Sequence, residues 1–374
     1  MSNFEIIQNG NLTAKEIKEN GGKIAGSFCS FAPVEILDAA GLHVVNLCGT
    51  SDETIISSES DLPKNLCPLI KSSYGAAISD KSGYTYFSDI IIGETTCDGK
   101  KKMYELLSEL KDIHIMQLPQ GIDRSYSSLM WEKEVRLLIT ILEEKFGIEI
   151  TEEKLRKTTF FRNKFRSLYN ELFELSKLEP PAITGFDLYK ILEGYRFNFD
   201  LDEEYKQLEE LIDKIKRKYE QGLRPVDNKA KRILITGCPL GGVLDKVVNT
   251  IETSDGVVVC FENCGGIKPI RNKIDESSDD IVKAIADRYL NIGCSVMTPN
   301  SKRMELLPEL IEEFKVDGVI EVILQTCHPY SIESREVKKL ITDLGTPYMA
   351  LETDYSESNI GQIKTRIAAF MEIL

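Results

Sequence analysis

An α/β protein with two parallel-sheet domains and a helical region between them is the fold class that the sequence predicts. Short apolar runs alternate with helical segments towards both ends of the chain, and long charged amphipathic helices occupy its middle. The chain has 374 residues, and single hydrophobic cores rarely grow beyond ~250 residues. We therefore expect two cores, one in each α/β part.

The first α/β domain is predicted at residues 1–130. Four runs there have the length and apolar content of strands: KIAGSFCS, HVVNLCGT, TYFSDIIIGETTC and IHIMQLPQ. The segments APVEILDAAG and DGKKKMYELLSELK, which lie between strands, have helical spacing and composition. Continuous apolar strands that alternate with helices are typical of a parallel sheet covered on both faces.

A helical connector or cap is predicted at residues 131–228, followed by a second α/β domain at residues 229–374. The connector contains WEKEVRLLITILEEKFG and DEEYKQLEELIDKIKRKYEQG, in which apolar residues recur at helical spacing among many charges. The second domain contains the strand-like runs RILITGCPL, GVVVCFENC, VDGVIEVILQTC and PYMALETDYS.

Cysteines occur at matching positions in the two α/β parts. In each part the first three strands carry a cysteine at or just beyond the carboxyl end, and a fourth cysteine lies between the second and third strands. The pairs are Cys29 with Cys238, Cys48 with Cys264, Cys97 with Cys327, and Cys67 with Cys294. Ligands of open parallel sheets bind at the carboxyl ends of the strands. We therefore expect two facing edges to gather these thiols in one cleft.

Charge and composition exclude several classes of function. The net charge of −14 disfavours nucleic acid and anionic membrane surfaces as partners. The sequence contains no apolar run of membrane-spanning length, and we expect a cytoplasmic protein. In that reducing compartment the nine cysteines are expected to be buried thiols or metal ligands rather than disulfides. Cys260 lies in the middle of a strand and is expected to be an ordinary buried thiol.

The spacing of the other cysteines favours iron-sulfur clusters over structural zinc. Zinc sites usually contain a closely spaced pair of ligands, and Cys260 with Cys264 is the only such pair in the sequence. Iron-sulfur clusters accept thiolates that are widely separated along the chain, and backbone amides at turns can donate hydrogen bonds to their sulfur atoms.

Several motifs resemble those of the 2-hydroxyacyl-CoA dehydratase and benzoyl-CoA reductase superfamily. They are NLCPLIKSSYG, FSDIIIGETTCDGKKKMYE, ILITGCPLGG, VILQTCHPY and ALETDYS. A further four, FCSFAPVEI, NLCGTSDETI, FENCGGIK and IGCSVMTPN, are similar to the double-cubane-cluster branch of this superfamily. The resemblance implies two flavodoxin-like (Rossmann-like) domains with the cluster in the cleft between them.

The resemblance also implies which cysteines ligate. Cys67, Cys97 and Cys327 match the three ligands of a 4Fe-4S cluster in dehydratase subunits. For the second cubane of a double cluster we expect Cys29, Cys264 and Cys294, with Cys48 or Cys238 as substitutes.

Two further side chains are weaker candidates. His328 directly follows Cys327 and is a candidate proton donor, because imidazole titrates near neutral pH. Glu352, near the end of the last strand, is expected to face the cleft. The run Lys100, Lys101 and Lys102 is expected to be a solvated helix start, so we leave these lysines out of the site.

Three functions follow from the resemblance. The first is a reductase of small molecules such as acetylene, azide or hydrazine, whose double-cubane cluster (8Fe-9S) receives low-potential electrons from an ATP-hydrolysing activator with its own 4Fe-4S cluster. The second is a 2-hydroxyacyl-CoA dehydratase subunit in which a single 4Fe-4S cluster eliminates water through a ketyl radical. The third is a non-catalytic electron carrier. A homodimer is expected for the first function.

Overall fold

The computed structural model describes residues 10–79, 82–194 and 199–374. Its first part is a parallel sheet of four strands in the order β2-β1-β3-β4, with helices on both faces. The strands are β1 (Lys23–Ser27), β2 (Leu42–Asn46), β3 (Ile90–Glu94) and β4 (Ile113–Met116). The helices are α1 (Gly10–Glu19), α2 (Val34–Ala39), α3 (Ile55–Ser58), α4 (Pro68–Ile78), α5 (Gly83–Phe87) and α6 (Asp98–Leu107).

The third strand is shorter than the sequence predicts. Thr85, Tyr86 and Phe87 have high β-propensity, but they belong to α5, whose N-cap Ser82 accepts a hydrogen bond from the Thr85 amide at 3.2 Å. The strand starts at Ile90, and every residue of β3 is buried. The prediction of one strand over Thr85–Cys97 is therefore wrong at its amino end, because the cap stops the strand from extending backwards.

Long helices make up the middle of the chain, as predicted. They are α7 (Ser127–Phe146), α8 (Glu152–Lys177), α9 (Gly185–Gly194) and α10 (Leu201–Glu220). Helix α7 ends at Gly147, which has a φ of 63° and closes the helix in the left-handed conformation that glycine adopts without strain. Thr151 then caps α8 by accepting a hydrogen bond from the Lys154 amide. None of the described helices combines the length and apolarity needed to cross a membrane.

The second sheet repeats the topology of the first. Its strands have the order β6-β5-β7-β8, and all neighbouring pairs are parallel. They are β5 (Lys231–Gly237), β6 (Gly256–Glu262), β7 (Gly318–Leu324) and β8 (Tyr348–Thr353). The helices are α11 (Thr250–Glu252), α12 (Ile281–Leu290), α13 (Ser301–Glu313), α14 (His328–Asp343) and α15 (Ile360–Glu372). The predicted fold class of two flavodoxin-like parallel-sheet units is confirmed.

Buried polar contacts join the two α/β parts to the helical region. Glu35 on α2 is fully buried, pairs with Arg166 on α8 and accepts a hydrogen bond from the Tyr289 hydroxyl on α12 at 2.8 Å. Elsewhere, Gly242 approaches the carbonyl of Thr50 so closely that a Cβ atom would lie 1.9 Å from its oxygen. Both contacts therefore join the first α/β part to elements from other parts of the chain.

Candidate metal centre

A cavity of about 1030 Å³ lies between the carboxyl edges of the two sheets. Its wall contains loops and helix starts from both α/β parts, together with Tyr189 and Glu193 of α9. Seven of the nine cysteines line it: Cys29, Cys48, Cys67, Cys97, Cys264, Cys294 and Cys327. The two sheets therefore bring together thiols that are far apart in the sequence.

Cys67, Cys97 and Cys327, which we call the helix-cap group, share one local geometry. Each is the N-cap residue of a helix: Cys67 of α4, Cys97 of α6 and Cys327 of α14. The positive end of a helix dipole lowers the energy of a negative charge placed there, and thiolates benefit from it. Proline at the first turn of α4 and of α14 suits these positions, because its missing N–H would be unbonded there anyway.

Two thiols of the helix-cap group meet across the cleft. Cys67 shares a hydrogen bond with Cys327, and this neighbour together with burial raises the pKa of Cys67 well above its usual value. The backbone amides of Leu69 and Ile70 act in the opposite direction and favour the thiolate. Cys238 and burial raise the pKa of Cys327, which the amide of Tyr330 opposes. Without a cation in the cleft these thiols are therefore protonated at neutral pH.

Cys29, Cys264 and Cys294, which we call the loop group, lie in connections between elements rather than at helix starts. Cys29 interacts electrostatically with both others, so the three thiols are near one another. Burial raises the pKa of Cys29 well above its usual value, and burial raises the pKa of Cys294 to about 11. Two buried ammonium groups oppose these shifts, Lys100 at Cys29 and Lys268 at Cys294.

The two substitute candidates differ in their access to the cavity. Cys48 lines it and donates a hydrogen bond from Sγ to the Phe28 carbonyl at 3.0 Å. Cys238 is buried behind the cavity wall, where its Sγ accepts a hydrogen bond from the Leu324 amide at 3.4 Å. Cys260 is fully buried within β6, as expected for an ordinary packed thiol. Access to the cavity therefore favours Cys48 over Cys238 as the substitute ligand.

The two weaker candidates are placed differently. His328 is exposed at the start of α14 and lines the cavity. Glu352 is exposed and is not among the described residues that line the cavity, so the expectation that it faces the cleft is wrong. Side chains alternate along a strand. Since the neighbouring Leu351 and Thr353 of β8 are buried, the Glu352 side chain points to the opposite, exposed side.

Lys100 is a site residue that the sequence analysis missed. Its side chain is 9% exposed, lines the cavity and donates a hydrogen bond to the Phe28 carbonyl at 3.0 Å. It also interacts with Cys29, Cys48 and the buried carboxylate of Glu94. Lys102 is exposed and pairs with Glu105, as a solvated helix start should. The helical period of α6 could have separated Lys100 from its neighbours, but only the tertiary packing around Phe28 and Cys48 decides which face of α6 is buried.

Unbonded hydroxyl groups surround the cysteines. Among the described residues, the side-chain oxygens of Thr96, Tyr104, Ser295, Tyr330 and Tyr355 are buried and make no hydrogen bond. A buried donor without an acceptor costs about 1–3 kcal/mol, and sulfur atoms of a bound cluster are acceptors. No three His, Cys, Asp or Glu side chains in the described part of the chain are close enough together to hold a single metal ion. Thiols, amides, ammonium groups and free hydroxyls around one large cavity fit a polynuclear iron-sulfur cluster.

The family profile that matches this chain and the relatives found by comparison agree with one another. The profile of the family described as 2-hydroxyglutaryl-CoA dehydratase, D-component, matches residues 29–374. A protein of Escherichia coli (strain K12), YjiM, which its name provisionally classes as a dehydratase subunit, is 47% identical over 99% of this chain and 96% of its own length. The β subunit of (R)-phenyllactyl-CoA dehydratase of Clostridium sporogenes is 24% identical over 96% and 94% of the two chains. One of the benzoyl-CoA reductase subunits of Thauera aromatica is 21% identical over 89% and 85%.

Proposed function

Because this chain belongs to the 2-hydroxyglutaryl-CoA dehydratase D-component family, we propose that it is an ATP-activated iron-sulfur reductase that carries a double-cubane cluster. The main support for this proposal is that the helix-cap group and the loop group both line one cavity. Six thiols in two sets of three suit two joined cubanes, each with one iron that its three cysteines do not ligate. When bound, the cluster would supply low-potential electrons one at a time.

In this proposal, cysteines position the cluster, and helix dipoles and lysine side chains offset its negative charge. The helix-cap group would ligate one cubane with the aid of three helix dipoles, and the loop group would ligate the other beside Lys100 and Lys268. The raised thiol pKa values do not prevent ligation, because iron ions displace the thiol protons and neutralise the thiolates. The cavity leaves space beside the cluster for a small substrate.

The test is iron and acid-labile sulfide per chain after anaerobic reconstitution, together with the visible absorption spectrum. We expect about eight irons and about nine sulfides per chain, the composition of a double cubane. A colourless protein without iron after reconstitution would overturn the proposal.

A dehydratase subunit is the second candidate, favoured by the names of YjiM and of the phenyllactyl-CoA relative. The helix-cap group alone would then hold a single 4Fe-4S cluster, and the loop group would be packed thiols. This candidate predicts about four irons and four sulfides per chain. It also predicts that Cys264→Ser leaves the iron content unchanged, whereas the double-cubane proposal predicts a loss.

We further propose that His328 delivers protons to the reduced substrate, since it is exposed at the cavity wall. His328→Gln should keep all its iron and accept electrons normally, but slow the reduction of the substrate. Unchanged turnover in a variant with full iron content would exclude this role.

The proposed partners are an ATP-hydrolysing activator with its own 4Fe-4S cluster and a second copy of this chain. The phenyllactyl-CoA relative is named as a β subunit, which implies a second kind of chain, so the assembly of this protein is tested in solution. Native mass spectrometry of the purified chain should give a homodimer, and reduction of its clusters should require both the activator and ATP. A monomer that is reduced equally well without ATP would exclude both.

A further inference from the structure

The buried tyrosines fall into two sets, according to whether their hydroxyl groups make a hydrogen bond. Among the residues that the structure describes, seven tyrosines are buried. Four of them have bonded hydroxyls: Tyr74 with Asp61, Tyr169 with Glu204, Tyr189 with the Leu240 amide, and Tyr289 with Glu35. The hydroxyls of the other three, Tyr104, Tyr330 and Tyr355, make no hydrogen bond. All three of these interact electrostatically with cysteines of the cleft.

Tyr330 is the phenol next to the loop group. It lines the cavity, is 6% exposed and interacts with Cys264 and Cys294. Cations hold its ring in place: the Arg303 guanidinium carbon lies 5.0 Å from the ring centroid, and Lys268 Nζ lies 5.8 Å from it. The ring is therefore anchored at its faces while the hydroxyl stays free to bind an acceptor.

Tyr355 and Tyr104 lie behind the cavity-lining residues, beside the remaining cysteines. Tyr355, in the loop after β8, interacts with Cys67, Cys48 and Cys238. Tyr104 on α6 is fully buried, interacts with Cys29 and Cys48, and packs against Phe28 with the two ring centroids 5.6 Å apart. Each cysteine group thus has at least one buried phenol whose donor is unused by the protein.

We propose that the hydroxyls of Tyr330, Tyr355 and Tyr104 donate hydrogen bonds to sulfur atoms of the bound cluster and raise its reduction potential, an inference that rests on the proposed function. A buried donor persists where an acceptor is present in the working state, because leaving it unbonded is costly. Added electrons increase the negative charge on cluster sulfurs, so donors to sulfur stabilise the reduced form most. The three phenols therefore set the energy at which the clusters accept electrons.

The test replaces each tyrosine by phenylalanine, which removes one oxygen atom and keeps the ring. Iron and sulfide per chain are measured first, followed by the midpoint potential from an EPR-monitored redox titration. We expect wild-type iron content and a lower midpoint potential in Tyr330→Phe and Tyr355→Phe, with a larger decrease in the double variant. Tyr74→Phe is the matched control, because its hydroxyl already donates to Asp61 at 3.0 Å, and its potential should not change.

A second measurement is needed in case a variant loses part of its cluster. Pulsed EPR of the reduced protein in H2O and in D2O detects exchangeable protons near the cluster, and Tyr330→Phe should lack one such signal that Tyr74→Phe retains. Equal potentials and equal exchangeable-proton signals in all variants, with full iron content, would overturn this inference and assign the hydroxyls to ordered water instead. Absence of iron from the wild-type protein would instead defeat the proposed function itself.

Discussion

The helix-cap group and the loop group line one cavity, but the energetic cost of their buried negative charge is offset by different parts of the protein. Cys67, Cys97 and Cys327 each begin a helix, so backbone dipoles act on them. Cys29 and Cys294 lie in loops and depend on the ammonium groups of Lys100 and Lys268. The first arrangement is fixed by the fold, whereas the second depends on two side chains that single substitutions can remove. The two groups should therefore respond differently to mutation.

The largest effect is expected from replacing a member of the helix-cap group. Cys327→Ser should lose most of the bound iron, because Cys327 joins the second α/β part to Cys67 of the first and serine is a poor ligand for iron at neutral pH. Iron per chain after anaerobic reconstitution is the measurement. Cys260→Ser is the control and should retain its iron, since that thiol is buried within β6. Equal iron in the two variants would remove the helix-cap group from the site.

An intermediate effect is expected from the loop group. Cys264→Ser should keep about half of the iron, because the helix-cap group would still ligate one cubane. The iron and sulfide assay applies again, with the visible spectrum to identify the remaining cluster. Complete loss would show that the two groups form one inseparable unit. Complete retention would reduce the loop group to packed thiols and favour the dehydratase candidate.

The cysteine positions could be predicted from sequence because they depend on local features. Strand ends and turns are visible in single runs such as ILITGCPL, and parallel sheets place those ends on one edge. The burial of Lys100 could not be predicted in this way, since Lys100, Lys101 and Lys102 are alike in the sequence and only the tertiary packing buries one of them. Tyr330 was missed for the same reason, because its unbonded hydroxyl is a property of everything around it.

Lys100 should affect the electronic properties of the cluster rather than its assembly. Lys100→Met removes a buried positive charge near Cys29 and Cys48, so the midpoint potential should decrease. For unit charges about 7 Å apart at an effective dielectric constant of about 20, the interaction is about 2 kcal/mol, which corresponds to roughly 100 mV for one electron. An EPR-monitored redox titration measures it.

The control for this change lies next to it in the sequence. The side chain of Lys101 is 39% exposed and pairs with Asp98 at 2.7 Å, so Lys101→Met should leave the potential unchanged because solvent screens its charge. Equal shifts in the two variants would indicate a general effect of net charge. Cys29 would then have no specific countercharge, and the contrast with the helix-cap group would rest on Lys268 at Cys294.

The smallest effect on the cluster itself is expected at Glu94, a buried carboxylate that interacts with Lys100 and whose replacement should change mainly the stability of the iron-free protein. Burial raises the pKa of Glu94 to about 7, and Lys100 opposes that increase without cancelling it. An unfolded chain has a glutamate pKa of about 4.3, so between these values the native state holds a proton that the unfolded chain has released. Glu94 therefore reduces the stability of the iron-free protein progressively as pH rises from about 4.3 to about 7. Glu94→Gln should abolish that loss.

We expect Glu94→Gln to be close to neutral near pH 4.3 and to stabilise the iron-free protein by about 1–3 kcal/mol at pH 7 and above. Urea unfolding at several pH values between about 5 and 8 measures the difference. Glu105→Gln, which alters an exposed residue paired with Lys102, should show no such trend. If Glu94→Gln were instead less stable than the wild type at high pH, Glu94 and Lys100 would form a stabilising ion pair. The ammonium charge would then serve Glu94 rather than Cys29, and Lys268 at Cys294 would remain as the countercharge of the loop group.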